Sequence, residues 1–194
     1  MREFVYYSKK ARTSGNFREL MKAGRMDIVC HIIIAALFLS HKLRENIKLH
    51  LIFDGPPDPP KHLELQSNEK MKEFISKKDV SGLIKRMLYK YKKSQKREVF
   101  PGCFIEKKSL LQLVEELKES KKIYLLDKKG QDIRILTKEE LENAVFILGD
   151  HEGLPKFELR QLKKIAKKLS LGLETYFASQ ALIILQNELD RRKE

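Results

Sequence analysis

Apolar positions along the chain alternate between the two-residue period of strands and the 3.6-residue period of helices. Glu3 to Tyr7 favours β structure and predicts an opening strand. Ile28 to Leu39 is apolar except at His31 and predicts a buried or interface helix. Asp27, after Gly24-Arg25-Met26, is placed to cap it. Ile47, Leu49, Leu51 and Phe53 alternate with Lys48, His50 and Ile52, as in a half-buried strand. Pro56, Pro57, Pro59 and Pro60 then exclude both helix and central strand, and His62 to Leu65 predicts a further short strand. Val80, Leu83, Ile84, Met87, Leu88 and Tyr91 follow helical spacing, with Lys85, Arg86, Lys90, Lys92 and Lys93 on the other side. Pro101-Gly102 breaks the chain, and Leu110 to Leu117 predicts a second amphipathic helix. Ile123 to Leu126 predicts a strand ending at Asp127-Lys128-Lys129-Gly130. A strand at Ala144 to Leu148, a helix from Pro155 to Lys168 with the proline in its first turn, and an apolar helix from Phe177 to Leu189 complete the pattern. Strands alternating with helices indicate an α/β fold, a mostly parallel sheet flanked by helices, in one domain over residues 1–194.

Two glycine-bearing turns follow late strands: Gly149-Asp150-His151-Glu152-Gly153 and Leu169-Ser170-Leu171-Gly172. Glycine lets a ligand approach the backbone, and ligands of α/β sheets bind at the carboxyl ends of strands. Neither turn has the GxxxxGK[ST] or GxGxxG spacing, which argues against ATP and NAD.

Charge adds a second theme. Lys and Arg number 40 against 27 Asp and Glu, a net +13. This fits either a lysine-rich solvated surface or a polyanionic partner such as nucleic acid. Cys30 and Cys103 lie far apart, so no disulfide framework and no zinc site is suggested, and a reducing cytoplasm fits. Arg2 and Glu3 precede only a short apolar run, so no signal peptide is expected. The longest apolar stretch is well short of the roughly 20 residues that span a bilayer.

The order GDHEG, then LSLG, then an apolar helix ending Asn187-Glu188-Leu189-Asp190-Arg191 resembles the SPOUT class of RNA methyltransferases. Arg2-Glu3-Phe4, Gly24-Arg25-Met26-Asp27, Leu39-Ser40-His41 and the proline-rich loop are similar to one family within it, the archaeal tRNA pseudouridine-54 N1-methyltransferases. The resemblance covers nearly the whole chain. It implies a deep C-terminal trefoil knot within about residues 120–194, an exception to unknotted topology. It implies S-adenosylmethionine as cofactor, its adenine held by backbone groups at Leu126, Gly149 and the run Leu171, Gly172, Leu173, Glu174, Thr175 and Tyr176, with a further contact at Ala181, where the family carries cysteine. It also implies a homodimer, using the C-terminal helix and the helix at Ile28 to Leu39, and a tRNA substrate. No membrane partner and no metal are expected.

Methylation of pseudouridine N1 requires loss of the N1 proton, so a carboxylate or a bound water near N1 is sought as base. Asp27 and Asp150 are the candidates; the alternative roles are helix N-cap for Asp27 and turn support for Asp150. His151 reads as a structural turn residue. Arg12, Arg25 and the helix residues Lys85, Arg86 and Lys90 are candidates for RNA binding, or are exposed surface cations. Two competing readings are N1-methylation of a pseudouridine in small-subunit ribosomal RNA and a non-catalytic RNA-binding protein with the knotted fold.

Overall fold

The computed structural model describes residues 1–74 and 76–192. Its strands are β1 (Arg2–Ser8), β2 (Ile47–Phe53), β3 (Lys61–Gln66), β4 (Arg97–Phe100), β5 (Cys103–Glu106), β6 (Lys122–Asp132), β7 (Ala144–Leu148) and β8 (Lys167–Ser170). Its helices are α1 (Met26–Leu37), α2 (Lys77–Tyr89), α3 (Leu110–Lys118), α4 (Lys138–Leu141), α5 (Lys156–Ile165) and α6 (Ala178–Asp190). One mixed sheet runs in the order β4-β5-β3-β2-β1-β7-β6-β8. The five strands from β2 to β8 are parallel. β3, β5 and β4 extend the sheet in antiparallel fashion. The expectation of a mostly parallel α/β sheet therefore holds for the half that contains the glycine turns.

Both faces of the parallel half are covered. On β1, Phe4 and Tyr6 join the cluster that includes Met26 of α1, Leu83 of α2 and Leu182 of α6. Val5 and Tyr7 join Leu113 of α3 and Leu162 of α5 on the other face. This two-sided cover corrects the reading of β2 as half-buried: His50 and Ile52 are as inaccessible as Leu49 and Leu51. The alternation at Lys48 and His50 marks a polar layer under cover, not a solvent face.

Asp27 does not cap α1. Gly24 and Arg25 both take positive φ (70° and 62°), which turns the chain so tightly that Met26 N–H donates to the Leu20 carbonyl. Arg25 becomes the N-cap without any side-chain cap bond, and Asp27 falls in the first turn. An acidic residue still suits the positive end of the helix there. α2 and α3 begin with reciprocal capping boxes, Ser76 with Asp79 and Ser109 with Gln112. The break at Pro101-Gly102 is the turn of the β4–β5 hairpin, whose short strands carry no apolar alternation strong enough to announce them.

β6 continues past the expected stop at Asp127 as far as Asp132, with an irregularity against β8 between Leu126 and Gln131. Gly130 makes this passage feasible, because a Cβ there would lie 2.5 Å from the backbone of Lys168 and Leu169. The helix expected to reach Lys168 ends at Ile165, Pro155 stands at its N-cap, and Lys168 belongs to β8, where it pairs with Asp127 at 2.6 Å. No helix among the described residues is long and apolar enough to cross a membrane.

A candidate cofactor cavity at the ends of β6, β7 and β8

The carboxyl ends of three adjacent parallel strands open into a cavity of about 580 Å³. That volume suits a ligand of nucleoside size. Leu125 and Leu126 from β6, Leu148 from β7, and Leu154, Leu159, Leu169 and Leu171 give it apolar walls. Gly149, Gly153 and Gly172 interrupt those walls. At Gly149 a Cβ would crowd the Gly153 and Leu154 backbone at 3.0–3.1 Å, so glycine fits there with least displacement. Gly153 and Gly172 hold φ of 75° and 127°, and a Cβ at either would stand in open space. The walls therefore leave room for a flat ring against backbone.

The second glycine turn is pinned from within: Ser170 Oγ donates to the Gly172 carbonyl at 3.0 Å and accepts from Gly172 N–H at 3.2 Å. α6 opens at the cavity wall through Phe177, Ala178, Gln180 and Ala181. Its first-turn N–H groups and positive dipole end favour an anionic group.

Of the residues expected to hold the cofactor, Leu126, Gly149, Leu171, Gly172, Glu174, Thr175, Tyr176 and Ala181 line this cavity. Leu173 is the exception. It is 94% exposed and points away from the wall. A backbone run read from motif order gives no side-chain direction, and Gly172 turns the chain outward there. Sequence reasoning missed Asp127, Lys128, Phe177, Ala178 and Gln180, which flank the predicted positions at β6 and at the start of α6, and the apolar wall of Leu125, Leu148, Leu154, Leu159 and Leu169.

Asp150 lines the cavity and is nearly inaccessible. Its two oxygens are already engaged, Oδ2 by Lys9 N–H at 3.0 Å and Oδ1 by Glu152 N–H at 2.8 Å. It ties the β1 exit to the β7 turn, and the ion pair between Lys10 and Glu152 reinforces that tie. His151 is exposed and stands 3.9 Å from Glu152. Asp27 is not among the lining residues. Arg25 clasps its carboxylate with two bonds, Nε to Oδ1 at 3.0 Å and Nη2 to Oδ2 at 2.9 Å. The Arg25 bond holds the Asp27 carboxyl below its usual range against the opposing effect of burial. Burial pushes the Tyr6 phenol far up, and the Asp150 and Asp27 carboxylates add to the shift. Neither aspartate thus presents an unengaged carboxylate.

The loop between β1 and α1 connects this cavity to α2. Lys10 and Ala11 are pressed against Gly24 and Gly55, where any Cβ would collide with their backbone. Thr13 binds the proline loop through the Gly55 carbonyl and Asp58 N–H. Gly15 packs on the Lys85 carbonyl, and the Lys85 ammonium sits 4.9 Å over the Phe17 ring. The Arg12 Nε is buried with no hydrogen-bond partner. Arg86 lies over Phe74 and Lys90 is exposed at the end of α2. The loop that carries Arg12 therefore touches α2 at Lys85, and no residue of α2 lines the cavity.

A family of SAM-dependent RNA methyltransferases has a model that matches residues 1–194. The chain belongs to this family. It is 38% identical to a protein of Methanococcoides burtonii named tRNA (pseudouridine(54)-N(1))-methyltransferase, over 98% of this chain and 96% of the relative. It is 35% identical to a protein of the same name from Methanococcus aeolicus, over 100% and 99%. The fold also matches the crystal structure of Archaeoglobus fulgidus Nep1 bound to S-adenosylhomocysteine, with a TM-score of 0.67 over 99% of this chain and 98% of that one. At 15% identity that likeness concerns the fold alone. For a SAM-dependent methyltransferase the cavity has the required features: apolar walls, glycine-lined backbone and a helix N-terminus.

Proposed function

We propose that this chain transfers the methyl group of S-adenosylmethionine to N1 of pseudouridine 54 in the T-loop of tRNA. The observation that carries this reading is the convergence of the GDHEG and LSLG turns on one cavity in a chain 38% identical to a protein named for that reaction. The cofactor supplies an activated methyl on a sulfonium, and the protein's task is orientation. In this reading Leu126, Gly149 and the Leu171 to Tyr176 turn hold the adenine by backbone groups, with Leu173 contributing main chain only. The first turn of α6 near Ala181 receives the carboxylate. The knotted path implied for residues 120–194 and a homodimer belong to the same reading. Half-buried Ile34 and Ala35 of α1, and exposed Ile183 of α6, offer the apolar surface for a second copy. A cytoplasmic location follows from a tRNA substrate.

Asp150 is assigned a positioning role, because its oxygens hold two backbone N–H groups. Asp27 orients the Arg25 guanidinium, and that pair is the candidate contact to the target base. Because Arg25 engages both Asp27 oxygens and holds that carboxyl below its usual range, the N1 proton leaves to water in this reading. Arg12, Lys85, Arg86 and Lys90 provide a basic path for the tRNA backbone. The test is incubation with labelled S-adenosylmethionine and two tRNA transcripts, one carrying T-loop pseudouridine and one uridine. Label on the pseudouridine transcript alone is expected. Equal label on both rejects N1 specificity, and label on neither favours ribosomal RNA or a non-catalytic role.

A further inference from the structure

Three buried ionisable side chains and one partly buried one cross the sheet in a row away from the cofactor cavity. Glu3 of β1, His50 of β2 and His62 of β3 are at most 2% exposed, and Glu106 of β5 closes the row. Three contacts join them: Glu3 Oε1 to His50 Nε2 at 2.7 Å, His50 Nδ1 to His62 Nε2 at 2.8 Å, and His62 Nδ1 to Glu106 Oε1 at 3.0 Å. All three lie at hydrogen-bond length, and each needs one proton. Two neutral imidazoles supply one N–H apiece, and the two carboxylates, each kept ionised by a lysine (Lys121 on Glu3, Lys108 on Glu106), supply none. One contact would then bring two lone pairs together inside the sheet. If each imidazole donates outward to its carboxylate, the inner nitrogens His50 Nδ1 and His62 Nε2 face each other bare.

We propose that a third proton is held between His50 and His62, making the pair a buried, shared imidazolium between the carboxylates of Glu3 and Glu106. Four carboxylates and four ammonium groups surround the pair and sum to zero, so the bridging proton is held by the Glu3 and Glu106 carboxylates at the ends of the row and not by a surplus of negative charge. Glu64 of β3 lies 4.0 Å from His50 Nδ1. Lys96 binds Glu64 at 2.8 Å, and Lys48 of β2 stands 4.0 Å from it. Lys121, before β6, binds Glu3, and Lys108 binds Glu106 at 3.0 Å and Glu116 of α3 at 2.8 Å. His50, His62 and Glu64 are also a donor set that suits a divalent metal. The Lys96 ammonium already occupies Glu64, however, and the 2.8 Å nitrogen separation is that of an N–H···N bond. Burial pushes each imidazole, taken singly, down to about 4. For the pair we favour the opposite direction, because removing the bridging proton leaves both inner nitrogens without a donor in a dry site.

The sign of the pH dependence separates the two directions. A proton held above the unfolded histidine value of about 6.5 gives stability that is complete below that value and is lost as pH rises through the folded one. The full chain, with 15N-labelled histidine, is examined by long-range 1H–15N spectra at pH 7.5, and its unfolding is followed from pH 5 to 10. Three ring N–H protons across His50 and His62 are expected, with stability declining above neutral pH and that decline absent in His62→Gln. Two ring protons only, with stability flat above pH 7 and lost below pH 6, would overturn the proposal. Saturable Zn2+ binding by the native chain, abolished in His50→Gln, would overturn it in favour of a metal. The wild-type spectrum decides the matter even if the variants fail to fold.

Discussion

The parallel and antiparallel halves of the sheet meet at β2 yet use burial in opposite ways. Around β1, β7 and β6 the interior is apolar on both faces, with Phe4, Phe146 and Tyr124 in ring contact. Polar groups there collect at the carboxyl ends, where Asp150 and the glycine turns border the cavity. Across β2, β3 and β5 one face of the sheet carries charges instead, and lysines from the rim reach in to balance them. The apolar half is a rigid support for a preorganised site. The charged half gains registration from directional bonds, and depends on pH for it.

Truncating the two halves should differ most. Phe146→Ala removes a buried ring from the three-ring stack and is expected to cost about 3–5 kcal/mol in urea unfolding. Phe104→Ala, at the partly exposed hairpin under Lys96, should cost roughly 1 kcal/mol. Equal costs would mean that the halves do not differ in packing. Gly149→Val is next. Its added methyls have no room beside Gly153 and Leu154, so affinity for S-adenosylhomocysteine by calorimetry should fall about 100-fold, or roughly 2.7 kcal/mol. Retained affinity would remove the cofactor from this cavity.

Acid should act on the antiparallel half first. Burial raises Glu64, but its bonds to Lys96 and Gln66 prevail and hold it at about 2. The His62 bond holds Glu106 at about 2 against burial. Both values are depressed from an ordinary 4.5, so their stabilising contribution is complete above that pH and is lost as pH falls toward 2. Amide exchange of β3 and β5 should accelerate in that window before that of β7; simultaneous loss would contradict the distinction.

Asp150→Asn keeps the shape but turns an amide N–H toward a backbone N–H. Turnover on tRNA should drop about tenfold with an unchanged pH profile, the scale of one lost hydrogen bond. A loss of about a thousandfold with a shifted profile would instead make Asp150 the proton acceptor. The smallest effect is electrostatic. Lys85→Gln with Arg86→Gln should reduce the salt dependence of tRNA affinity by about two units of slope. No change in slope would remove α2 from the RNA path.

Much of the parallel half was legible in the sequence. Runs such as Ala144 to Leu148, and helices such as Leu110 to Leu117, are set by local periodicity. The glycine turns were legible as a ligand site because few residues tolerate such backbone. The β4–β5 hairpin was not, because Arg97 to Glu106 has little alternation and pairs only because β3 offers an edge. The extension of β6 past Asp127 depends on Gly130 meeting β8, a contact between segments far apart in sequence. Asp27 shows the same limit: its N-cap role fitted the residue type, but Gly24 and Arg25 turned the chain first and gave its carboxylate to Arg25.

The sequence by itself determined all the described helices but the short α4, the strands β1, β2, β6 and β7, the glycine turns and, through motif order, membership among SAM-dependent RNA methyltransferases. These depend on residues near one another or on backbone preferences that each residue carries with it. Only the tertiary structure decided that Leu173 faces outward, that Asp150 is a tie between loops, and that Glu3, His50, His62 and Glu106 form one row. Those facts depend on strand order and register, which bring distant residues within hydrogen-bond range and which no local pattern encodes.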